Sequence, residues 1–459
     1  MLAATAVAVT VAQTAVAAPL AFSPDLVQIH PTATHVGFAQ AAPPTTAQCE
    51  SDFQIACYGA PQIEQAYDLP ALYARGNAGQ GQTIAIVDSF GSPTIQADLN
   101  TFDAAYGLPS TTVKVIQPAG AVPPWDPTNS DMTGWAGETT LDVEYAHTIA
   151  PKANILLVET PVSETEGTTG FPEIVTAEKY VIDHHLASVI SQSFSATEET
   201  FPTKQSLLAL RGAYTDAYQH HVTVLAASGD DGAADAETDG STLYPNAVTS
   251  WPDSDPLVTG VGGTQLSLDA SGNHTSKDVV WNDTYNVPTN QFIFGDNGPN
   301  PLAGGGGKSV IFNRPAYQDG VANVVGNSRG VPDISMSGAC NGAVNVYQSF
   351  PGQPAGWYPT CGTSEATPLF SGIIALTAQF AHHSVGLVNP ALYAMSALHA
   401  PGLVDVTSGN NTVSFTQDGK LQTVQGFNAR PGYDLASGVG TVDAAKFVPE
   451  LALFSGLDG

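Results

Sequence analysis

The segment CGTSEATPLFSGIIALTAQF (361–380) places a Gly-Thr-Ser turn directly before a long apolar run. Pro368 falls in the first turn of that run, where proline is tolerated, so the segment predicts a buried helix. Ser364 would then lie at the helix N-terminus, where free N–H groups and peptide dipoles favour developing negative charge. On this pattern alone Ser364 is either a nucleophile or an ordinary helix cap.

The chain around this segment alternates between two hydrophobic periods. Short apolar, β-branched runs predict buried strands, and runs with helical spacing separate them. Such alternation is typical of right-handed βαβ units and predicts one α/β domain, about residues 58–450, with a largely parallel sheet. The predicted strands are 81–88, 153–160, 188–194 and 222–230, and the predicted helices are 92–107, 174–187 and 207–221.

A second segment, WAGETTLDVEYAH (135–147), puts Glu138 and Asp142 four positions apart. On a helix they would lie on one face, one turn apart. Acidic pairs at this spacing arise by chance in so acidic a chain, so the pair alone fits a solvated face, a calcium site or part of a catalytic site. We expect His147, which is followed by Thr-Ile-Ala-Pro, to end the helix or pack there and not to act in catalysis.

The charge of the chain limits its partners. The 459 residues include 13 Lys and Arg against 42 Asp and Glu, a net charge of -29. This balance argues against nucleic acid and anionic membranes as partners, since both need basic patches. It fits a protein that works in acid, where many carboxylates are neutral, and equally a soluble acidic protein at neutral pH.

The N-terminal region and the cysteines indicate export. Residues 1–17 form an apolar run with small residues at a plausible cleavage site and predict a signal peptide, hence a secreted protein. Residues 18–57 are rich in Ala, Pro and Thr, lack periodicity and predict an extension or linker. Four cysteines suggest two disulfides. Three pairings are possible, and proximity in sequence favours Cys49 with Cys57 and Cys340 with Cys361.

Several motifs together resemble one family. The early strand IAIVDSFG ends in an acid at Asp88, and the Gly-Thr-Ser segment opens a long helix, as in the subtilisin-like clan. Where that clan carries a histidine motif, this chain has GETTLDVEYAHTIAP (137–151). With LAASGDDGA (225–233) and GYDLASGVG (432–440), this pattern resembles the sedolisins, the serine-carboxyl peptidases. The resemblance covers most of the chain and implies a subtilisin-like three-layer α/β fold with a largely parallel central sheet.

The resemblance also implies roles for individual residues. Ser364 would be the nucleophile, Glu138 the base that takes its proton, and Asp142 the support of Glu138. Asp230 would line the oxyanion hole, and Asp88 would join the proton network around Glu138. A carboxyl group can donate to an oxyanion only when it is protonated, so this set predicts activity in acid that fades toward neutrality.

One structural Ca²⁺ is the cofactor that the resemblance implies. Asp405 and Asp434 would bind it through their side chains, and Val406, Arg430 and Gly432 through their backbone carbonyls. Oxygen-only ligands that include two carboxylates suit calcium.

The sequence therefore predicts a secreted, monomeric, acid-acting peptidase that cleaves polypeptide substrates through an acyl-enzyme at Ser364. Two alternatives remain at this stage. One is a neutral-pH Ser/His/Asp peptidase that uses Asp88 and a histidine, and the other is a non-catalytic binding protein on a protease fold. The sequence departs from the family pattern at Glu365, which stands beside the nucleophile where a small residue is usual.

Overall fold

The computed structural model describes residues 33–456. The predicted signal peptide (1–17) and the first part of the predicted extension (18–32) lie outside the described residues.

The described residues form a mixed α/β chain. The strands are β1 Thr34–His35, β2 Cys57–Tyr58, β3 Thr83–Ser89, β4 Val113–Ile116, β5 Asn154–Thr160, β6 Val189–Gln192, β7 Ala196–Thr197, β8 Thr223–Ala227, β9 Ser250–Trp251, β10 Thr259–Gln265, β11 Val279–Val280, β12 Gly307–Asn313, β13 Ser328–Val331, β14 Ile334–Ser337, β15 Ala343–Gln348, β16 Gly356–Cys361, β17 Leu403–Val404, β18 Val413–Gln417, β19 Lys420–Val424 and β20 Thr441–Val442. The α-helices are α1 Thr46–Asp52, α2 Ala60–Ala66, α3 Leu69–Tyr73, α4 Ile95–Tyr106, α5 Ser130–Ile149, α6 Phe171–Asp183, α7 Lys204–Leu208, α8 Gly212–Gln219, α9 Val287–Ile293, α10 Ala322–Val325, α11 Thr363–Ala381, α12 Asn389–Ala397 and α13 Ala444–Ser455.

The central sheet has eight strands within the described part of the chain, in the order β11-β10-β8-β6-β3-β5-β4, with β14 also paired to β10. All its pairings are parallel except that between β10 and β11. The predicted largely parallel sheet is confirmed. Since parallel strands point the same way, the residues that follow β3, β6 and β8 meet at one edge of the sheet, where open α/β sheets bind their ligands.

Two hydrophobic clusters cover the two faces of this sheet and make the fold three-layered. Alternate side chains of β3 divide between them: Ile84 and Ile86 face the cluster that contains α5 and α11, and Ala85 and Val87 face the cluster that contains α6 and α8. The predicted three-layer fold is therefore confirmed.

Helices α5 and α11 lie side by side against one face of the sheet and pack closely enough to require a glycine. A Cβ atom placed on Gly372 of α11 would lie 2.4 Å from Cβ of Ile149 in α5. Real Cβ atoms do not approach so closely, so any larger residue at position 372 would push the two helices apart. This close contact holds the helix that carries Ser364 in its first turn beside the helix that carries Glu138.

The described part of the predicted extension is an ordered part of the fold, which differs from the unpatterned linker that composition suggested. Strand β1 pairs with β16, and β2 pairs with β15, so both belong to a second sheet of order β1-β16-β15-β2. Because these partners lie about 300 residues away in sequence, no local pattern reveals them. The two predicted disulfides, Cys49–Cys57 and Cys340–Cys361, are confirmed.

Within residues 33–456, no helix is long and apolar enough to cross a membrane.

Candidate active site

Helix α5 brings two of the predicted site residues into the protein interior. Almost every residue from Met132 to Ile149 is buried, including the carboxyl side chains of Glu138 and Asp142, which are fully buried. A carboxylate buried in this way loses its hydration, so burial favours the protonated form. The sequence pattern placed the two acids on one helical face, and the structure shows that this face points inward.

The carboxyl ends of the central strands supply the groups that face α5. Asp88 near the end of β3 is fully buried, and its charge acts on both Glu138 and Asp142. Ser193, just after β6, donates its hydroxyl proton to Oδ1 of Asp142 at 2.8 Å. Asp88, Glu138 and Asp142 therefore form one buried group of three interacting carboxyls, which we call the carboxyl cluster.

Burial governs the protonation of the carboxyl cluster. It raises the pKa of Asp88 to about 7, although the interaction with the Thr139 hydroxyl lowers that pKa in part. Burial also raises the pKa of Glu138 and of Asp142 well above the ordinary range, and the charge of Asp88 adds to both shifts. Carboxyls this close titrate together, so they share protons and cannot all be ionised near neutral pH.

Ser364 lies in the first turn of α11 and faces the carboxyl cluster. The preceding turn depends on Gly362, whose φ of 129° is a conformation that residues with a side chain rarely adopt. Hydrogen bonding from Ser364 lowers the pKa of Glu138 and so opposes part of the effect of burial. Oγ of Ser364 is buried, and its interaction with Glu138 falls outside standard hydrogen-bond geometry, as is common for catalytic groups before substrate binds.

Asp230 contacts the residue that precedes Ser364. Its Oδ1 accepts hydrogen bonds from the backbone N–H of Thr363 at 2.7 Å and from the Thr363 hydroxyl at 2.8 Å. The charge of Asp230 also acts on Glu138. The structure thus brings together all four catalytic candidates, Glu138, Asp142, Asp230 and Ser364.

Three further groups at this site escaped sequence reasoning. Ser193 and Thr139 are ordinary polar residues in sequence, and only the fold sets them beside Asp142 and Asp88. The third is the backbone N–H of Ala33, which donates to Oε2 of Glu138 from the N-terminal extension. No local signal in the sequence could have found it.

Glu365, the residue at which the sequence departs from the family pattern, is fully buried beside Ser364, and burial raises its pKa well above the ordinary range.

His147 lies in the last turn of α5 and contacts α4 and the segment that follows it. Its Nε2 is 2.8 Å from the carbonyl oxygen of Pro109 and 3.3 Å from Oδ1 of Asp103, which belongs to α4. The side chain is fully buried in that packing. Its position agrees with the expectation that His147 packs at the helix end.

Hydrogen bonds join four of the five residues of the predicted calcium site in two pairs. Oδ2 of Asp405 accepts the N–H of Gly432 at 2.9 Å, and Oδ2 of Asp434 accepts the N–H of Arg430 at 2.9 Å. No cluster of three or more His, Cys, Asp or Glu side chains with metal-binding geometry occurs in residues 33–456. The predicted site would instead consist of two carboxylates and three backbone carbonyls, and such oxygen donors fit a hard cation.

Known proteins resemble the chain in sequence and in fold. The model of the subtilase family matches residues 127–421. Kumamolisin of Bacillus sp. (strain MN-32) is 32% identical over 83% of this chain and 61% of its own length. Sedolisin of Pseudomonas sp. (strain 101) is 30% identical over 83% of this chain and 60% of its own length. A solved structure, Pseudomonas sedolisin complexed with pseudo-iodotyrostatin, superposes with a TM-score of 0.68 at 27% identity, covering 86% of this chain and 98% of that one.

The chain therefore belongs to the subtilase family, whose model covers well over half of it. Within that family, the resemblance to the sedolisins that its motifs suggested is confirmed by these relatives. The chain spans about three fifths of the length of the two curated relatives.

Proposed function

We propose that the protein is a secreted serine-carboxyl peptidase that hydrolyses peptide bonds in polypeptides under acidic conditions. The observation that carries this proposal is the buried carboxyl cluster facing Ser364 at the start of α11. The family membership supports a peptidase of the serine type. His147, the histidine next to these motifs in sequence, instead contacts Pro109 and Asp103, so nothing favours a Ser/His/Asp mechanism through it.

Ser364 is the nucleophile in this proposal, and Glu138 is its general base. The Ser364 oxygen attacks the substrate carbonyl carbon while its proton passes to Glu138, which then donates that proton to the leaving nitrogen. An acyl-enzyme forms on Ser364, and water hydrolyses it. Hydrogen bonds from Ser364 and from the backbone N–H of Ala33 lower the pKa of Glu138 against the effect of burial, so they favour the ionised form that can take the serine proton.

Asp142 and Asp88 keep Glu138 in its working protonation state. Since the three carboxyls repel one another when ionised, protons held by Asp142 and Asp88 allow Glu138 to carry the single negative charge. The Ser193 hydroxyl holds Asp142 in position from the end of β6. Asp230 completes the site as a donor to the oxyanion, supported by its contact with Thr363 directly before the nucleophile.

The pH dependence of the rate tests this proposal. Because the pKa of Asp88 is raised to about 7, its proton is held in acid and lost as pH rises through neutrality. We expect kcat/KM on an unfolded protein substrate to be highest below pH 7. It should be about tenfold lower at pH 8 than at pH 5, because only about a tenth of a carboxyl is protonated when the pH is one unit above its pKa. The rate of Ser364→Ala, measured at each pH, gives the background. An optimum above pH 7 would refute the acid mechanism.

One Ca²⁺ bound by Asp405, Asp434 and the carbonyls of Val406, Arg430 and Gly432 is part of the proposal. It would supply positive charge that ties the 430–432 loop to the segment that follows β17. The two carboxylates already contact this loop through its N–H groups, which supports the location.

Removal of calcium is expected to lower thermal stability. A ligand at 100 times its Kd stabilises the folded state by about 2.7 kcal/mol, so a chelator should lower Tm by several degrees. Asp405→Asn should lower Tm to a similar extent and abolish the response to added Ca²⁺. The exposed Asp52 serves as the matched control, and Asp52→Asn should keep the response. A Tm that does not respond to Ca²⁺ in the unaltered protein would refute the site.

A further inference from the structure

Two pairs of histidines lie near the amino ends of the central strands, at the opposite edge of the sheet from the carboxyl cluster. Helix α6 ends a few residues before β6, and helix α8 ends a few residues before β8. His184 and His185 follow α6, and His220 and His221 follow α8. Since β6 and β8 are parallel neighbours, the two helix ends lie side by side at this edge.

One histidine of each pair lies against the other, and we call His185 and His220 the histidine pair. Their ring centres are 5.3 Å apart. Two imidazoles that bind one tetrahedral ion at about 2.05 Å have ring centres about 5.2 Å apart, because each ring centre is then about 3.2 Å from the metal. Both side chains are exposed, so an ion can reach them from solvent. The histidine pair therefore has the separation of two ligands of one metal ion.

The surroundings of the histidine pair favour a cation. The C-terminal ends of α6 and α8 both lie at the pair, and the free carbonyl groups of a helix end carry partial negative charge. A cavity of about 230 Å³ adjoins both rings, and mostly polar groups line it, among them Gln82, Ser188 and Ser384. Among the described residues that line it, none is Lys or Arg. The cavity is large enough for several waters, which can complete the coordination of an ion.

The type of ligand atom selects the class of metal. Imidazole nitrogen suits Zn²⁺, Cu²⁺ and Ni²⁺, whereas Ca²⁺ takes oxygen ligands. The histidine pair therefore differs in kind from the proposed calcium site at Asp405 and Asp434. Structural zinc sites are closed by four protein ligands, so an ion held by two imidazoles and water is more readily exchanged with solvent.

We infer that His185 and His220 together bind one divalent transition-metal ion, such as Zn²⁺, which links the ends of α6 and α8. Such an ion binds the folded chain, in which the two rings are adjacent, and so stabilises it. It takes no part in peptide hydrolysis, because β6, four residues long, separates this edge from the carboxyl cluster by more than about 10 Å. The site is thus independent of the proposed peptidase function.

The test is a calorimetric titration of the purified full chain with ZnCl₂ at pH 7.5, with excess CaCl₂ present to occupy oxygen sites. We expect one saturable site per chain and, at saturation, a Tm that is higher by a few degrees. His185→Asn and His220→Gln should each lower the affinity about tenfold or more, since loss of even an outer partner of a metal ligand typically costs roughly 10- to 100-fold. Asparagine suits position 185 because it tolerates the left-handed conformation found there, with φ of 51°.

The other two histidines at these helix ends supply matched controls. The His184 ring stacks on Tyr180 with ring centres 4.0 Å apart, and its Nδ1 lies 2.9 Å from the Tyr180 carbonyl oxygen. His221 has the same left-handed conformation as His185, with φ of 57°, and a Cβ atom placed on Gly386 would lie 3.5 Å from its Nδ1. His184→Asn and His221→Asn should therefore bind Zn²⁺ with the affinity of the unaltered protein.

The stoichiometry separates one shared ion from two independent ions. If each imidazole held its own ion, a single variant would halve the number of ions bound without changing the affinity of the other, which would overturn the shared site. Absence of saturable binding in the unaltered protein, full binding in either single variant, or equal loss in the two controls would also overturn it. Metal-free Tm and kcat/KM on an unfolded protein substrate at pH 5 should be nearly the same in all variants, so that lost binding is not lost folding.

Discussion

Ser364→Ala and Glu138→Gln are each expected to lower kcat on an unfolded protein substrate by about 10⁴-fold or more, with little change in KM. Alanine removes the nucleophile. Glutamine keeps the shape of Glu138 but cannot take the serine proton at any pH. Losses of this size are typical when one member of a nucleophile–base pair is removed, and what remains comes from the oxyanion site and substrate binding. The measurement is kcat and KM at pH 4 to 5.

The double variant Ser364→Ala with Glu138→Gln should be no slower than either single variant. Residues that act as one unit lose their joint contribution when either is removed, so the two effects do not add. A double variant much slower than both single variants would mean that Ser364 and Glu138 act independently, against the proposed pair.

Glu144→Gln is the matched control for Glu138→Gln. Glu144 lies on the same helix α5, is also fully buried, and burial likewise raises its pKa well above the ordinary range. Its Oε2 accepts the backbone N–H of Tyr347 at 3.1 Å, a contact that the amide oxygen of glutamine can keep. We expect nearly unchanged kcat. A loss as large as that in Glu138→Gln would mean that the carboxyls of α5 act through folding and not through catalysis.

The sequence predicted most of the central fold because its signals are local. The helix expected at 92–107 is α4, Ile95–Tyr106, which ends at Gly107 in the left-handed conformation. The helix expected at 207–221 is divided into α7 and α8. Between them Arg211 donates to both carboxylate oxygens of Asp255, at 2.5 and 2.8 Å, a partner more than forty residues away that no local pattern shows.

The candidate site divides in the same way. The spacing of Glu138 and Asp142 and the turn before Ser364 are local patterns, and they sufficed to propose those residues. The contribution of Ser193 to Asp142 depends on how β6 lies beside α5, and the contact of Ala33 with Glu138 depends on the pairing of β1 with β16. Such partners are fixed by the register of distant strands, which a single sequence does not contain.

Asp230→Ala is expected to lower kcat by about 10² to 10³-fold, the usual effect of removing one donor from an oxyanion site. The effect should appear in kcat more than in KM, because the oxyanion exists only in the transition state and the intermediates. Alanine also removes the acceptor of the Thr363 N–H and hydroxyl, so the Tm of the variant has to be measured beside its rate.

Asp230→Asn separates the donor from the rest of the side chain. Asparagine keeps an oxygen that can accept from Thr363, and its amide donates at every pH, whereas a carboxyl donates only when it is protonated. We therefore expect Asp230→Asn to retain clearly more activity than Asp230→Ala. Its remaining activity should also persist to higher pH than that of the unaltered protein, up to the limit that the carboxyl cluster sets. If Asn is as damaging as Ala while Tm is unchanged in both, Asp230 acts through its charge or its exchangeable proton, and the oxyanion contact must come from another group.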